Sequence, residues 1–525
     1  MKVYAVSMDR NLLGIGFRRV VAAGKAAGFD MDSIYFIDDV EQATHAGSWW
    51  AQKTGEGFGV NFLNDKEMLG PLADRLSDAD VIAFSLMSVQ RNLCKELCER
   101  VRAKNPGVKI ILGSYHPTIF PEDAITFADA ICLGEGEPTF VDFLERVKNN
   151  ESLVGLKGTW VNIDGDVIKN PKRELMSLTE LEESPFMDYT LDNSYVYSQI
   201  DRQLVPMSPK NFSRQIGTVY NTIWSVGCPY RCSFCSQDKL NDMDEGYAEY
   251  RGPSPEYIVN EIKDVQKRFP VDYVIFYDSD FIGRSLEELT DFSKRFRETG
   301  LKFILSGTNP ATITEEKMDA LVEGGLVRIK MGFEAGNDDM LKFFRRPVRQ
   351  KDLVRVTQIL SKYKNKMVAP AYEMIIDNPY ETKEHLYESL DFLQSLSGPY
   401  TLSLFSLHFM PGTPLSRKHG TDEFVAEQFD KEYMFSYKPN ALNNLLSLFA
   451  VFKPSKPLLE FFKKIISGKE DKKYPKLKTF LYRMMLIRRG LDSVRFGDYS
   501  NFPAWVMFFY HKTRQLKNKF LLRGA

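Results

Sequence analysis

The stretch TIWSVGCPYRCSFCS, residues 222–236, runs from a short apolar segment straight into three cysteines. Cys228, Cys232 and Cys235 are half of the six cysteines in a chain of 525 residues. TIWS (222–225) reads as a β-strand, so the thiols begin at that strand's carboxyl end. Their spacing is C-x3-C-x2-C, and no cysteine follows Cys235. Thiolates are the ligands of iron–sulfur clusters and of structural zinc. A structural zinc takes a fourth ligand, which here would have to fold back from His385 or His408. Three thiolates on a four-iron cluster instead leave one iron open to a substrate or cofactor.

Outward from this stretch, strand and helix alternate over residues 216–415. Five further strands are expected at YVIFY (273–277), KFILS (302–306), VRIKMGF (327–333), YEMII (372–376) and LSLFSLHF (402–409). One intervening helix is marked by Ser254 as cap, Pro255 in the first turn, and a face of Ile258, Ile262, Val265 and Phe269. Six βα units suit a partial (β/α)6 barrel, with chemistry at the strand carboxyl ends.

Residues 1–150 show the same alternation, with strands at VYAV (3–6), IYFI (34–37), VIAFSL (81–86), KIILG (109–113) and AICLG (130–134). A helix from Asn92 to Ala103 carries Leu93, Leu97 and Val101 on one face. The pattern predicts a doubly wound, Rossmann-like parallel sheet that binds ligands at its strand carboxyl ends. Those ends read SLMS (85–88), GSYHPT (113–118) and GEGEPT (134–139), where small residues let backbone approach a ligand. Residues 151–215 read as a connector with a hairpin turning at Asp164-Gly165. Residues 416–525 read as a helical, aromatic and basic region.

Apolar residues make up 43% and charged residues 26%, an ordinary globular composition. The opening MKVYAVSMDRN reads as a strand and not as a signal peptide. The longest apolar runs, such as AWVMFFY (504–510), are too short to span a bilayer. So few cysteines do not make a disulfide framework, and a cytoplasmic protein is expected. The net charge of −1 conceals a basic tail: residues 451–525 hold 18 Lys and Arg against 5 Asp and Glu. Such a tail suits an anionic partner surface.

With an aromatic residue, Phe234, just before the last cysteine, the CxxxCxxC pattern resembles that of the radical S-adenosylmethionine superfamily. The resemblance implies a 4Fe–4S cluster on Cys228, Cys232 and Cys235, its open iron chelating S-adenosylmethionine, with Phe234 near the adenine. Reduction would then release a 5′-deoxyadenosyl radical. KMGFEAGNDDMLKFFRRPV (330–348) is similar to a family segment that places Glu334 at a cofactor-contacting acidic position. YDSDFIG (277–283) puts Asp278 and Asp280 at two more. IIDNPYET (375–382) and FMPGTPL (409–415) complete the set. Together with PGVKIILGSYHPTIFPEDAI and GEGEPT, these resemble the branch that carries an N-terminal cobalamin-binding domain. The resemblance covers residues 1 to about 415. It implies cobalamin near Ser85, Gly113, Ser114, Gly134, Glu135 and Gly136, without a lower histidine ligand from His45 or His116. Relatives often have Gly-Gly where this chain has Gly113-Ser114.

Other features have plainer readings. Cys94 and Cys98, at i and i+4, read as buried small hydrophobes, and Cys132 as strand core. Asp278 and Asp280 also suit helix capping, as does Glu334. His116 reads equally as pocket lining or as structure.

What the resemblance implies is a radical enzyme, in most relatives a methylase of unactivated carbon, here on a small-molecule or lipid-like substrate. Ring closure or oxidation without methyl transfer is the alternative, and a cobalamin- or redox-sensing binding protein is one from another class. No catalytic side chain is singled out. A flavodoxin- or ferredoxin-type electron donor is expected, and nucleic acid is not. The tail's aromatic and basic blocks, at Phe461 to Ile466 and in WVMFFYHKTRQLKNKF (505–520), also suit peripheral contact at the inner face of a membrane.

Overall fold

The computed structural model describes residues 1–9, 12–38, 65–198, 201–209, 212, 218–410, 412–419, 441–449 and 453–466, with a few positions between 483 and 496. Two compact units divide them. One is built on Met1–Tyr220 and Asn260–Val271, the other on Asn221–Val259 and the described part of Asp272–Asn501.

In the first unit, five strands are parallel: β1 Val3–Ser7, β2 Met31–Asp38, β3 Val81–Ser85, β4 Lys109–Gly113 and β5 Ala130–Cys132. Their spatial order is β5-β4-β3-β1-β2, a doubly wound order whose direction of winding reverses at β1 and β3. Both faces are covered, so the strands are apolar almost throughout. Tyr4, Val6, Ile82, Phe84, Ile110 and Leu112 pack under the helix Arg91–Lys104, where Cys94 and Cys98 are buried as core. The helices Ile15–Ala26 and Glu137–Lys148 pack together, burying Phe17, Val21, Phe140 and Phe143.

Residues 151–215 add two hairpins to this sheet. β6 Thr159–Ile163 and β7 Asp166–Lys169 run antiparallel beyond β5. Asp164 and Gly165 between them have φ of 53° and 98°, as a tight Asp-Gly turn requires. β8 Ser194–Ser198 lies parallel to β2, and β9 Gln203–Pro206 antiparallel beyond it, giving nine strands in all.

The second sheet has six strands side by side in chain order. They are β10 Val219–Thr222, β11 Tyr273–Phe276, β12 Lys302–Ser306, β13 Leu326–Glu334, β14 Ala371–Ile376 and β15 Thr401–Ser406. β11 to β15 pair in parallel throughout. The helix Pro255–Arg268 starts as expected, with the Tyr257 N–H donating to Ser254 Oγ at 3.1 Å. Behind the first strands lies an aromatic block of Trp224, Phe276, Phe281, Phe292, Phe296 and Phe303, all almost fully buried. Phe292 is stacked on Trp224 at 5.0 Å and edge-on to Phe281 at 5.3 Å and Phe303 at 5.5 Å.

Parts of the tail are described. The helix Ala441–Phe449 buries Leu445, Leu446, Leu448 and Phe449 and packs against β15. Its Asn443 donates to Asp377 Oδ1 at 2.7 Å. In the helix Lys456–Ile466, Leu459 is buried, and the buried Lys463 pairs with Asp391 and Glu460. Phe461 is exposed and Phe462 half-buried. WVMFFYHKTRQLKNKF (505–520) lies outside the described residues. None of the described helices is long and apolar enough to cross a membrane.

Removing the ring at the centre of the aromatic block tests this packing. Phe292→Ala is expected to cost about 3–5 kcal/mol. Urea unfolding of the two proteins, compared at matched slope, measures it.

Candidate active site

The chain leaves the second sheet earlier than TIWS suggests, because β10 ends at Thr222. Past that point the backbone turns to a carboxylate. Trp224 N–H donates to Asp278 Oδ2 at 3.1 Å, while Ser225 N–H and Oγ–H donate to Oδ1 at 2.6 and 2.7 Å. Asp280, two residues on, accepts from Tyr250 at 3.0 Å, from Asn309 N–H at 3.2 Å and from Thr312 at 3.1 Å. Both carboxyls are 1% exposed. Their oxygens join the loops at the strand ends. Neither side chain caps a helix. Burial raises the pKa of both, that of Asp280 to about 6, against the pull of these hydrogen bonds.

The cysteine loop is held on three sides. Gly227 has φ 95°, and a Cβ there would lie 1.9 Å from the Glu249 carbonyl oxygen. Only glycine allows that approach. Cys228 N–H then donates to Tyr247 O at 2.9 Å, and Asn241 donates to Cys228 O at 2.9 Å. Ser233 donates to Phe344 O and, through its hydroxyl, to Phe343 O, while Leu415 N–H donates to Ser233 O. Phe234 is half-buried, edge-on to Phe344 at 5.3 Å and packed on Phe409 and Leu415.

Desolvation pushes the Cys228 thiol up to about 12 and that of Cys235 to about 11, with the neighbouring cysteines adding to both. Such thiols stay protonated at neutral pH unless a cation takes the proton's place. As the side chains stand, no three His, Cys, Asp or Glu among the described residues form a site for a single metal ion. His385 and His408, the histidines considered for a zinc site, each make a local hydrogen bond through Nδ1. His385 Nδ1 accepts from Thr382 N–H at 3.2 Å, and His408 Nδ1 lies 2.9 Å from Ser406 O.

Arg346, unforeseen in the sequence, reaches this loop. Its Nη1 donates to Cys232 Sγ at 3.3 Å and its Nη2 to Gly332 O at 2.7 Å, leaving a buried Nε–H with no partner among the described residues. Glu334 ends β13 at φ 66°, and a Cβ on Gly332 would meet its Oε1 at 2.0 Å. Burial pushes the Glu334 carboxyl up to about 7, Arg346 opposing and Glu373 adding. Three soft donors with a guanidinium beside them and an orphaned N–H fit an iron–sulfur cluster with an anionic ligand.

In the first unit, Ser85 and Gly113 sit at the paired ends of β3 and β4. A Cβ on Gly113 would meet no atom within 4 Å, so the backbone is open there. Thr118 ties the next two strand ends together: its hydroxyl donates to Ser114 O at 2.9 Å and accepts from Gly134 N–H at 3.3 Å. Glu135, half-buried, accepts from Met176 N–H at 2.7 Å, and Gly136 opens the helix Glu137–Lys148. His116 is fully buried between Ser88 at 3.1 Å and Asp123 at 3.0 Å. Burial would raise Asp123, but hydrogen bonds from His116 and Arg91 hold it at about 2. His116 is therefore structural, and His45 lies outside the described residues.

Residues 222–393 match the radical SAM superfamily and residues 51–144 the B12 binding domain. The chain is 25% identical over 343 residues to an uncharacterised methyltransferase of Pyrococcus horikoshii, covering 64% of this chain and 69% of that protein. It is 24% identical over 391 residues to the cytidylyl-2-hydroxyethylphosphonate methyltransferase of Streptomyces wedmorensis, covering 69% and 71%. Among solved structures, the cobalamin-dependent S-adenosylmethionine radical enzyme OxsB with aqua-cobalamin bound shares the fold. Its TM-score is 0.61 at 18% identity, over 94% of this chain and 71% of that one. The chain is an enzyme of the radical SAM superfamily, in the branch that carries a B12 binding domain. A 4Fe–4S cluster, S-adenosylmethionine and cobalamin are the cofactors of that class.

Ser114 bears a strain that can be measured. At φ 83° and ψ −161° it occupies a region used almost only by glycine. Ser114→Gly is expected to stabilise the protein by about 1–2 kcal/mol, read as a raised midpoint in thermal or urea unfolding.

Proposed function

We propose that this enzyme is a cobalamin-dependent radical methylase acting on an unactivated carbon of a small-molecule or lipid-like substrate. The observation that carries the reading is the cysteine loop itself. Three thiols stand at the carboxyl end of the first strand of a six-stranded sheet, and the same chain holds a second sheet with open backbone at its strand ends. Both relatives named above are methyltransferases, which supports methyl transfer over ring closure. When bound, the cluster with S-adenosylmethionine supplies a radical that takes a substrate hydrogen, and cobalamin supplies the methyl group.

The chain's own residues hold and orient. Cys228, Cys232 and Cys235 are the cluster ligands. Glu334, poised near neutrality, accepts from the amino group of S-adenosylmethionine, and Phe234 walls the adenine side with an apolar edge. Ser85, Gly113, Ser114 and Gly134 offer backbone to the corrin. Electrons come from a flavodoxin- or ferredoxin-type donor. Exposed Leu458 and Phe461 beside Lys464, within a tail of strong positive charge, support peripheral contact with an anionic membrane face from the cytoplasmic side.

Anaerobic reduction with S-adenosylmethionine labelled in its methyl group tests the reading without knowledge of the substrate. Release of 5′-deoxyadenosine together with transfer of label to the corrin is expected. Release without label on the corrin would favour ring closure. Cys232→Ala should lose the brown absorbance and the 5′-deoxyadenosine, whereas Cys94→Ser, altered in the core of the first unit, should keep both. Glu334→Ala should keep the cluster but bind S-adenosylmethionine more weakly. A hydrogen bond to a charged group is worth about 1.5–3 kcal/mol, roughly a ten- to hundredfold rise in Kd. Equilibrium binding to the reconstituted variant measures it, and an unchanged Kd would leave Glu334 a purely structural role.

A further inference from the structure

Arg346 owes its place to a turn. The helix Asp338–Phe343 ends with Arg345 at φ 52°, and Arg346 N–H reaches back to Leu341 O at 2.9 Å while Arg345 N–H bonds Lys342 O at 3.0 Å. This left-handed helix end sends Arg345 outward and turns Arg346 back over the end of β13. There the Gly332 carbonyl fixes one edge of the guanidinium, and the other edge faces Cys232 Sγ at 3.3 Å. The same segment is stitched to the cysteine loop through Ser233, so donor and sulfur are held together by backbone on both sides.

Hydrogen bonds to ligand sulfur and the local net charge are two levers that set iron–sulfur reduction potentials. An N–H on the thiolate, carried by a full positive charge, favours the more negatively charged, reduced state. We propose that Arg346 raises the reduction potential of the cluster on Cys228, Cys232 and Cys235 through its N–H···S bond to Cys232. The step is the transfer of one electron from an external low-potential donor to the cluster, with no bond made or broken. Arg346 is a positioning residue for that electron, and the proposal rests on the cluster reading above.

The test uses the full chain, reconstituted anaerobically with iron and sulfide, with neither S-adenosylmethionine nor corrin added. Wild type, Arg346→Lys and Arg346→Gln are first assayed for iron and sulfide, then titrated with dithionite under EPR. Arg346→Gln is expected to titrate at a more negative potential than wild type. Arg346→Lys, which keeps the charge but cannot span Gly332 O and Cys232 Sγ together, should fall between them. Coincident titrations, a higher potential for Arg346→Gln, or full recovery by lysine would overturn the proposal. Should the variants fail to assemble a cluster, the wild type labelled with 15N-arginine answers instead. A nitrogen coupling to the reduced cluster in pulsed EPR supports the bond, and its absence overturns it. A wild type that assembles no cluster sinks the underlying reading itself.

Discussion

The buried carboxylate of Asp278 sets the shape of everything that follows β10. By taking three hydrogen bonds from Trp224 and Ser225, it draws the chain out of the sheet one residue after β10 ends. Trp224 is thereby fixed under Phe292, with its indole N–H on Pro253 O at 2.9 Å and the Arg284 guanidinium 4.0 Å above its ring. Three residues later Gly227 can meet the 247–249 backbone closely, and the cysteines follow in a loop whose Cys228, Ser233 and Cys235 amides are committed.

That arrangement gathers thiols in a dry place. Burial pushes the Cys228 and Cys235 thiols up, which favours their protonated form until metal takes the protons' place. The positive charge that answers the thiolates is already anchored, because Arg346 is tied to Gly332 O independently of any sulfur. The first unit works differently. Its strand carboxyl ends offer backbone, with Thr118 bracing two of them and the partly buried His116–Asp123–Arg91 chain stiffening the turn behind.

Much of this was legible in the residues. Both parallel sheets follow from apolar runs such as KIILG and KFILS, since strands covered on two faces cannot alternate. The cysteine spacing and its place after a strand pointed to the cluster, and Asp164-Gly165 to its turn. The edge hairpins were harder to see, because β7 and β9 are short and largely exposed and so carry little pattern. A carboxylate at a strand end reads alike whether it serves a cofactor or a neighbouring loop, and the sequence does not show the loop contacts that Asp278 and Asp280 make. Nothing local separates Arg345 from Arg346; only the left-handed turn does. The Gly-like backbone at Ser114 was foreshadowed by the glycine that relatives carry there, but its strain is a property of the fold.

On this reading one chain holds a four-iron cluster on three cysteines and a corrin on its other sheet. Counting iron, sulfide and corrin on a single anaerobically reconstituted sample of the full chain tests it most directly. About four irons and about four sulfides per chain, together with a corrin, are expected. A protein that binds zinc through Cys228, Cys232 and Cys235 and retains neither sulfide nor corrin would contradict it.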